Sequence, residues 1–316
     1  MARPRRRWIV WTVLALALVA LAAFGFWRWA TANGSAASLE WIDARFPRER
    51  AVRLAAQGLY GDHPAQRAEL WVPAKGAGGP APLVMFFHGG AWRIGAPKEY
   101  RFVARTLGEA GFATALVGYR LVPDGRYPAM LEDTAAGIRW ALDRATANGV
   151  QTDRIALAGH SAGAYNVLMM GLDPRWLAAA GVAQGRIGGI VSMAGPTDFY
   201  PFTSDSAKNA LGHVADPRET QPIAFARADA PPILLLHGTA DTVVRVRNAR
   251  RLAAALRKLG APVEEREYEG MGHAGIIMAL SRPFAQGGIV REPMVAFLRR
   301  TTAPPPASLP VQRPGG

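Results

Sequence analysis

Ser161, Asp241 and His273 are the residues whose types, order and surroundings could support nucleophilic catalysis in this chain. A serine hydroxyl is too weakly acidic to attack a carbonyl at neutral pH, so it needs an adjacent base, and that base needs an orienting acid. The run from Arg154 to Gly163 reads Arg-Ile-Ala-Leu-Ala-Gly-His-Ser-Ala-Gly. Its apolar stretch Ile155 to Ala158 predicts a strand, and Ala162 onward predicts a helix, so Ser161 falls in a sharp turn between them. Glycines at 159 and 163 remove the Cβ atoms that would collide in such a turn. Asp241 follows the apolar run Ile233 to Leu236 through His237-Gly238-Thr239-Ala240, in which His237, ending a strand, is assigned to packing. His273 follows Val263 to Tyr268 through Glu269-Gly270-Met271-Gly272. Asp198, placed after the predicted strand Ile187 to Met193, is the rival acid.

Acyl transfer also places negative charge on the former carbonyl oxygen, which fixed backbone N–H groups can stabilise. His88-Gly89-Gly90-Ala91-Trp92 directly follows the apolar run Leu83 to Phe87 and supplies small residues at a strand end. The amides of Gly90 and Ala91, with that of Ala162 behind the serine, are the expected donors, and Gly89 is a substitute. Trp92 and His160 are assigned to the substrate pocket, with packing in the core as the competing role for Trp92.

The elements that must position these groups alternate. Strands are expected at 52–54, 68–72, 83–87, 113–117, 155–158, 187–193, 233–236 and 263–268, with helices at 97–110, 128–148 and 246–259. Strands alternating with helices imply a mostly parallel sheet covered on both faces, with working groups at the carboxyl ends of strands. Residues 199–229, carrying Pro201, Pro217 and Pro222, break the alternation and read as a cap-like insertion over the sheet edge. The main domain is expected over 51–301, followed by a proline-rich disordered tail at 302–316.

The combined pattern resembles the α/β-hydrolase family, in particular its hormone-sensitive-lipase-like and bacterial carboxylesterase branch, across about Pro82 to His273. That resemblance implies Ser161 as nucleophile, Asp241 as acid and His273 as general base, with Gly89, Gly90 and Ala91 in the glycine-rich oxyanion hole and no metal or organic cofactor. Ala91 and Trp92 depart from the fuller His-Gly-Gly-Gly form. The variant is similar to small esterases, feruloyl or acetyl esterase-like members and kynurenine formamidase-like members. The expected activity is hydrolysis of carboxylic esters with small acyl groups. Amide hydrolysis, as in a formamidase or serine peptidase, and a noncatalytic binding protein on the same fold are the alternatives.

Composition narrows the remaining classes. The chain has 316 residues, 50% of them hydrophobic, and no cysteine, so thiol nucleophiles and disulfides are excluded. The net charge of +13 is concentrated at the ends: residues 1–50 carry 8 arginines against 3 acids, and residues 51–298 carry 26 basic against 21 acidic groups. A folded basic patch for nucleic acid is therefore not expected. Arg3, Arg5, Arg6 and Arg7 precede an uncharged run from Trp8 to Trp27. Twenty helical residues reach roughly 30 Å, the thickness of a bilayer core. The expectation is a transmembrane anchor over 1–30, with bilayer contact through 8–29, the arginines cytoplasmic and the catalytic domain outside the cytoplasm. A spacer at 31–50 with a short helix around Leu39 to Arg45 would follow. Cleavage of a signal peptide near Ala30-Thr31-Ala32 is the alternative. The oligomeric state is not legible.

Overall fold

The structure is a computed structural model. It describes residues 4–33, 36–46, 51–74 and 79–304, without the side chains at 4–7, 23 and 26–33. Two helices, α1 (Pro4–Asn33) and α2 (Ala36–Asp43), precede the sheet. The chain then runs through β1 (Val52–Leu59), β2 (Arg67–Pro73), β3 (Pro82–Phe87), α3 (Arg101–Glu109), β4 (Ala113–Val117), α4 (Ala129–Ala147), β5 (Gln151–His160), α5 (Ala162–Leu172) and α6 (Arg175–Ala179). It closes with β6 (Ile187–Met193), α7 (Asp205–Leu211), β7 (Ile233–Gly238), α8 (Arg247–Lys258), β8 (Val263–Tyr268), α9 (His273–Met278) and α10 (Arg291–Thr302).

The eight strands form one sheet in the order β1-β2-β4-β3-β5-β6-β7-β8. β2 pairs antiparallel with β1 and β4, while every pairing from β4 through β3 to β8 is parallel. The α/β-hydrolase architecture is thus present. Side-chain alternation sorts the core into two layers. Leu83, Met85 and Phe87 of β3 face the layer that holds α4, α5 and α8, whereas Val84 and Phe86 face the layer that holds α3, α9 and α10. β3, β4 and β6 carry side chains buried on both faces, as strands covered by helices on two sides must.

Several expectations change here. Residues 199–229 do form a break in the alternation, but they pack against the α4/α5 layer: Ala207, Ala210 and Leu211 of α7 are buried there, with Phe199, Phe202, Ile223 and Phe225 against them. The short helix expected near Leu39 to Arg45 is α2, one turn earlier, and its docking makes it part of the domain. Leu39 enters the α3/α9 core, and Asp43 is fully buried. Arg105 binds Glu40 and Asp43 together, its Nη2 lying 2.8 Å from Glu40 Oε2 and 2.7 Å from Asp43 Oδ2. The amide of Arg282 donates to Asp43 Oδ1 at 2.8 Å, and that of Phe102 to Glu40 Oε2 at 2.7 Å. Removing Arg105 would take a bound cation from a buried carboxylate, a loss of up to about 3–5 kcal/mol if nothing rearranges.

The transmembrane expectation is not carried by the described residues, among which no helix is long and apolar enough to cross a membrane. Within α1 the side chains are described without a break only over residues 8–22. The tail expected at 302–316 lies outside the described residues from 305 onward; Thr302 itself closes α10.

Candidate active site

Four strand ends converge on one cavity. β3 leads into Gly89, β5 into Ser161, β7 into the loop holding Asp241, and β8 into the turn before His273. At the end of β5 the chain turns so sharply that Ser161 adopts φ 54° and ψ −117°. A non-glycine residue held there signals a backbone constrained for function. The flanking glycines are required by contact: a Cβ on Gly163 would lie 2.1 Å from the Phe87 carbonyl oxygen, and one on Gly159 would lie 2.3 Å from that of Gly163.

His273 bridges the other two groups. Its Nδ1 lies 2.7 Å from Asp241 Oδ2, and its Nε2 lies 2.9 Å from Ser161 Oγ. With Nδ1–H donating to the carboxylate, Nε2 is left as the acceptor of the serine proton. The side chain of Asp241 is wholly enclosed and that of His273 is 17% exposed. Asp241 is fully satisfied: Oδ1 accepts from the amides of Val243 and Val244, both at 2.9 Å, and Oδ2 faces His273 and His237. Burial alone would raise its pKa, but the hydrogen bonds from His237 and His273 outweigh burial and hold it well below the usual carboxylate range.

His237 is a member of this network that sequence reasoning assigned to packing. Its Nε2 donates to the Val244 carbonyl at 2.7 Å and lies 3.3 Å from Asp241 Oδ2, so it braces the acid loop. The available signal was a polar residue closing the run Ile233 to Leu236, because a buried ring nitrogen must find a partner. Asp198 lies elsewhere, paired with Arg251 at 2.7 Å. Trp92 is in the core, edge-on to Tyr165 at 5.3 Å and stacked on Phe199, and does not line the cavity.

Gly90, Ala91 and Trp92 take φ values of 121°, 55° and 57°, a tight left-handed turn. Among the turn and loop hydrogen bonds of the described residues, none uses the N–H of Gly90, Ala91 or Ala162. Ala162 opens α5, where unpaired amides and the helix dipole favour negative charge. Gly89 presses against the serine turn, since a Cβ there would stand 3.4 Å from that of Ser161 and 2.8 Å from His160 Nδ1. Below this loop, His88 stacks on Tyr119 at 4.5 Å, and Tyr119 donates to the His88 carbonyl at 2.7 Å.

His160 does line the cavity. Its Nε2 donates to the His273 carbonyl at 3.2 Å, while Nδ1 has no protein partner among the described residues. Burial, reinforced by neighbouring His273, lowers its pKa to about 3; burial likewise takes His88 to about 4. Both rings are therefore neutral when folded but titrate near 6.5 when unfolded. Below pH 6.5 the unfolded chain binds more protons, so stability present above that pH is lost as pH falls toward 4 and 3. The slope should approach about 2.7 kcal/mol per pH unit for the two groups near pH 5. Urea denaturation at pH 7, 6 and 5 measures this, and equal stability at pH 5 and pH 7 would contradict it.

The cavity beside Ser161 encloses ≈ 510 Å³. Apart from histidines, Arg93 and Glu99 are the charged side chains among its described lining; Leu39, Ile42, Ile94, Ile277, Met278 and Phe284 make most of the wall. Among the described residues no group of three His, Cys, Asp or Glu is placed to hold a metal.

This serine, histidine and aspartate arrangement on an α/β-hydrolase sheet coincides with a family match over residues 69–256, to the model described as BD-FAE. The chain belongs to the BD-FAE family. Esterase LipC of Mycobacterium tuberculosis is 30% identical over 68% of this chain and 58% of its own length. A probable isoprenylcysteine alpha-carbonyl methylesterase, ICMEL1 of Arabidopsis thaliana, is 26% identical over 70% of this chain and 51% of its own. The chain thus spans between half and three fifths of these curated relatives. Among solved structures, phosphonate-inhibited esterase B from Lactobacillus rhamnosis superposes with a TM-score of 0.71 at 20% identity, covering 89% of this chain and 96% of that one. This last likeness speaks for the fold. The BD-FAE match covers β2 through most of α8, including Ser161 and Asp241, but stops before His273 and excludes α2.

Proposed function

We propose that this chain is a serine hydrolase of carboxylic esters, acting on substrates with an apolar acyl group through an acyl-serine intermediate. The observation that carries this reading is the pair of contacts, 2.7 Å and 2.9 Å, joining Asp241, His273 and Ser161. His273 Nε2 takes the Ser161 proton as Oγ attacks the carbonyl carbon. The developing oxyanion is held by the free amides of Gly90, Ala91 and Ala162, with Gly89 giving the approach its room. Collapse of the tetrahedral intermediate releases the alcohol with the proton from His273. Water, deprotonated by the same nitrogen, then attacks the acyl-serine, and the acid leaves. The esterase names of the relatives favour ester substrates over amides, and the apolar wall around Ser161 suits an apolar acyl group. Assays with p-nitrophenyl acetate, butyrate and longer esters, beside formyl and aminoacyl amides, test this. Turnover of the amides alone would replace the reading, and turnover of neither would end it.

We also propose that α1 tethers the protein to a membrane. Trp8, Trp11 and the leucines at 14, 16, 18 and 21 are exposed along α1, with Trp8 at 77%. Exposed apolar surface on this scale, after an arginine-rich start, supports association of α1 with a lipid bilayer and export of the catalytic domain. The full-length protein is expected in the membrane pellet after a high-salt wash. Its recovery in the supernatant would refute the tether.

A further inference from the structure

Selectivity among esters requires a wall at a fixed distance from the nucleophile, and 199–229 does not provide it, because that segment packs with the α4/α5 layer and contributes nothing to the cavity lining. Part of the lining comes instead from the N-terminal segment: Ala36, Ala37, Ser38, Leu39 and Ile42. On α2 the residues three apart share a face. Leu39 and Ile42 turn one face to the cavity, and Glu40 and Asp43 turn the next face to Arg105. The polar face is anchored at four places: the Arg105 guanidinium on both carboxylates, the Phe102 amide on Glu40 and the Arg282 amide on Asp43. A helix of eight residues would not hold its position on its own, but one clamped by a wholly buried aspartate does.

We propose that α2 is the acyl-length gauge of this enzyme: Leu39 and Ile42 limit how far an unbranched acyl chain extends from Ser161, and the Arg105 clamp holds that limit in place. This rests on the ester-hydrolase reading above and names the part of the site that selects among its substrates. A methylene that fits or fails to fit an apolar pocket changes kcat/KM by roughly tenfold or more, so a change of wall should be read directly in chain-length preference.

The test uses the full-length chain and the ratio of kcat/KM for p-nitrophenyl decanoate to that for p-nitrophenyl acetate. A general loss of folded enzyme lowers both rates together and leaves the ratio unmoved. Leu39→Trp should lower the ratio about tenfold or more, and Leu39→Ala should raise it about fivefold. Arg105→Ala, which touches no substrate, should shift the ratio in the same direction as Leu39→Ala by releasing α2. A ratio within threefold of the parent in Leu39→Trp, together with no rise in either alanine variant, would overturn the gauge while leaving the hydrolase reading intact. Absence of ester turnover by the unsubstituted chain would remove both.

Discussion

Ser161→Ala is expected to lower kcat for p-nitrophenyl butyrate by about four to six orders of magnitude. The substitution removes the atom that His273 Nε2 faces at 2.9 Å, and among the described residues no other hydroxyl contacts that nitrogen. Water alone must then attack, aided only by the amides of Gly90, Ala91 and Ala162, which accounts for the residual rate. The fold should survive. Alanine keeps the Cβ of serine and removes only the hydroxyl, so the backbone of the turn meets no new contact. Steady-state kinetics beside a thermal melt decide the matter. Activity within about tenfold of the parent, with the melt unchanged, would mean that Ser161 is not the nucleophile.

Asp241→Asn should cost about 10³ to 10⁴ in kcat, and Asp198→Asn less than about threefold. The amide oxygen of the new asparagine can keep the place of Oδ1, where the amides of Val243 and Val244 converge. Its NH₂ then occupies the place of Oδ2 and meets a donor, the Nδ1–H of His273. The imidazole of His273 escapes that clash by moving its proton to Nε2, the tautomer that cannot accept from Ser161. Asp198 offers a control of equal chemistry, because its partner is the half-exposed Arg251 and its pair lies outside the triad. Parallel kinetics of the two variants give the comparison, and equal losses would break the assignment of the acid.

Much of the site was legible because local rules and catalytic order coincide. Gly159 and Gly163 mark the turn by what they lack, and the apolar runs ahead of Gly89, Ser161 and Asp241 place all three at carboxyl ends of parallel strands. The less apolar parts were read short. β1 reaches Leu59 and β5 starts at Gln151, since edge and half-exposed residues such as Gln57 and Thr152 carry little pattern. α10 passed unnoticed, its first turn interrupted by Pro293, a position where proline is tolerated. Trp92, expected at the substrate with core packing as its competing role, lies in the core, and His237, expected in packing, is buried but braces the acid. Residue type alone could not separate those fates, as both side chains combine an apolar body with a polar tip.

By itself the sequence determined the alternating sheet, the serine turn, the glycine-rich loop and the order of nucleophile, acid and base, because each depends on neighbours within a few residues or on strand polarity. Tertiary structure alone decided which histidine braces Asp241, where residues 199–229 pack, and that α2 forms a wall of the cavity. Those outcomes depend on contacts such as Asp43 with Arg282, separated by 239 positions along the chain. Packing across such a distance is set by shape and burial in the finished fold, and no local pattern encodes it.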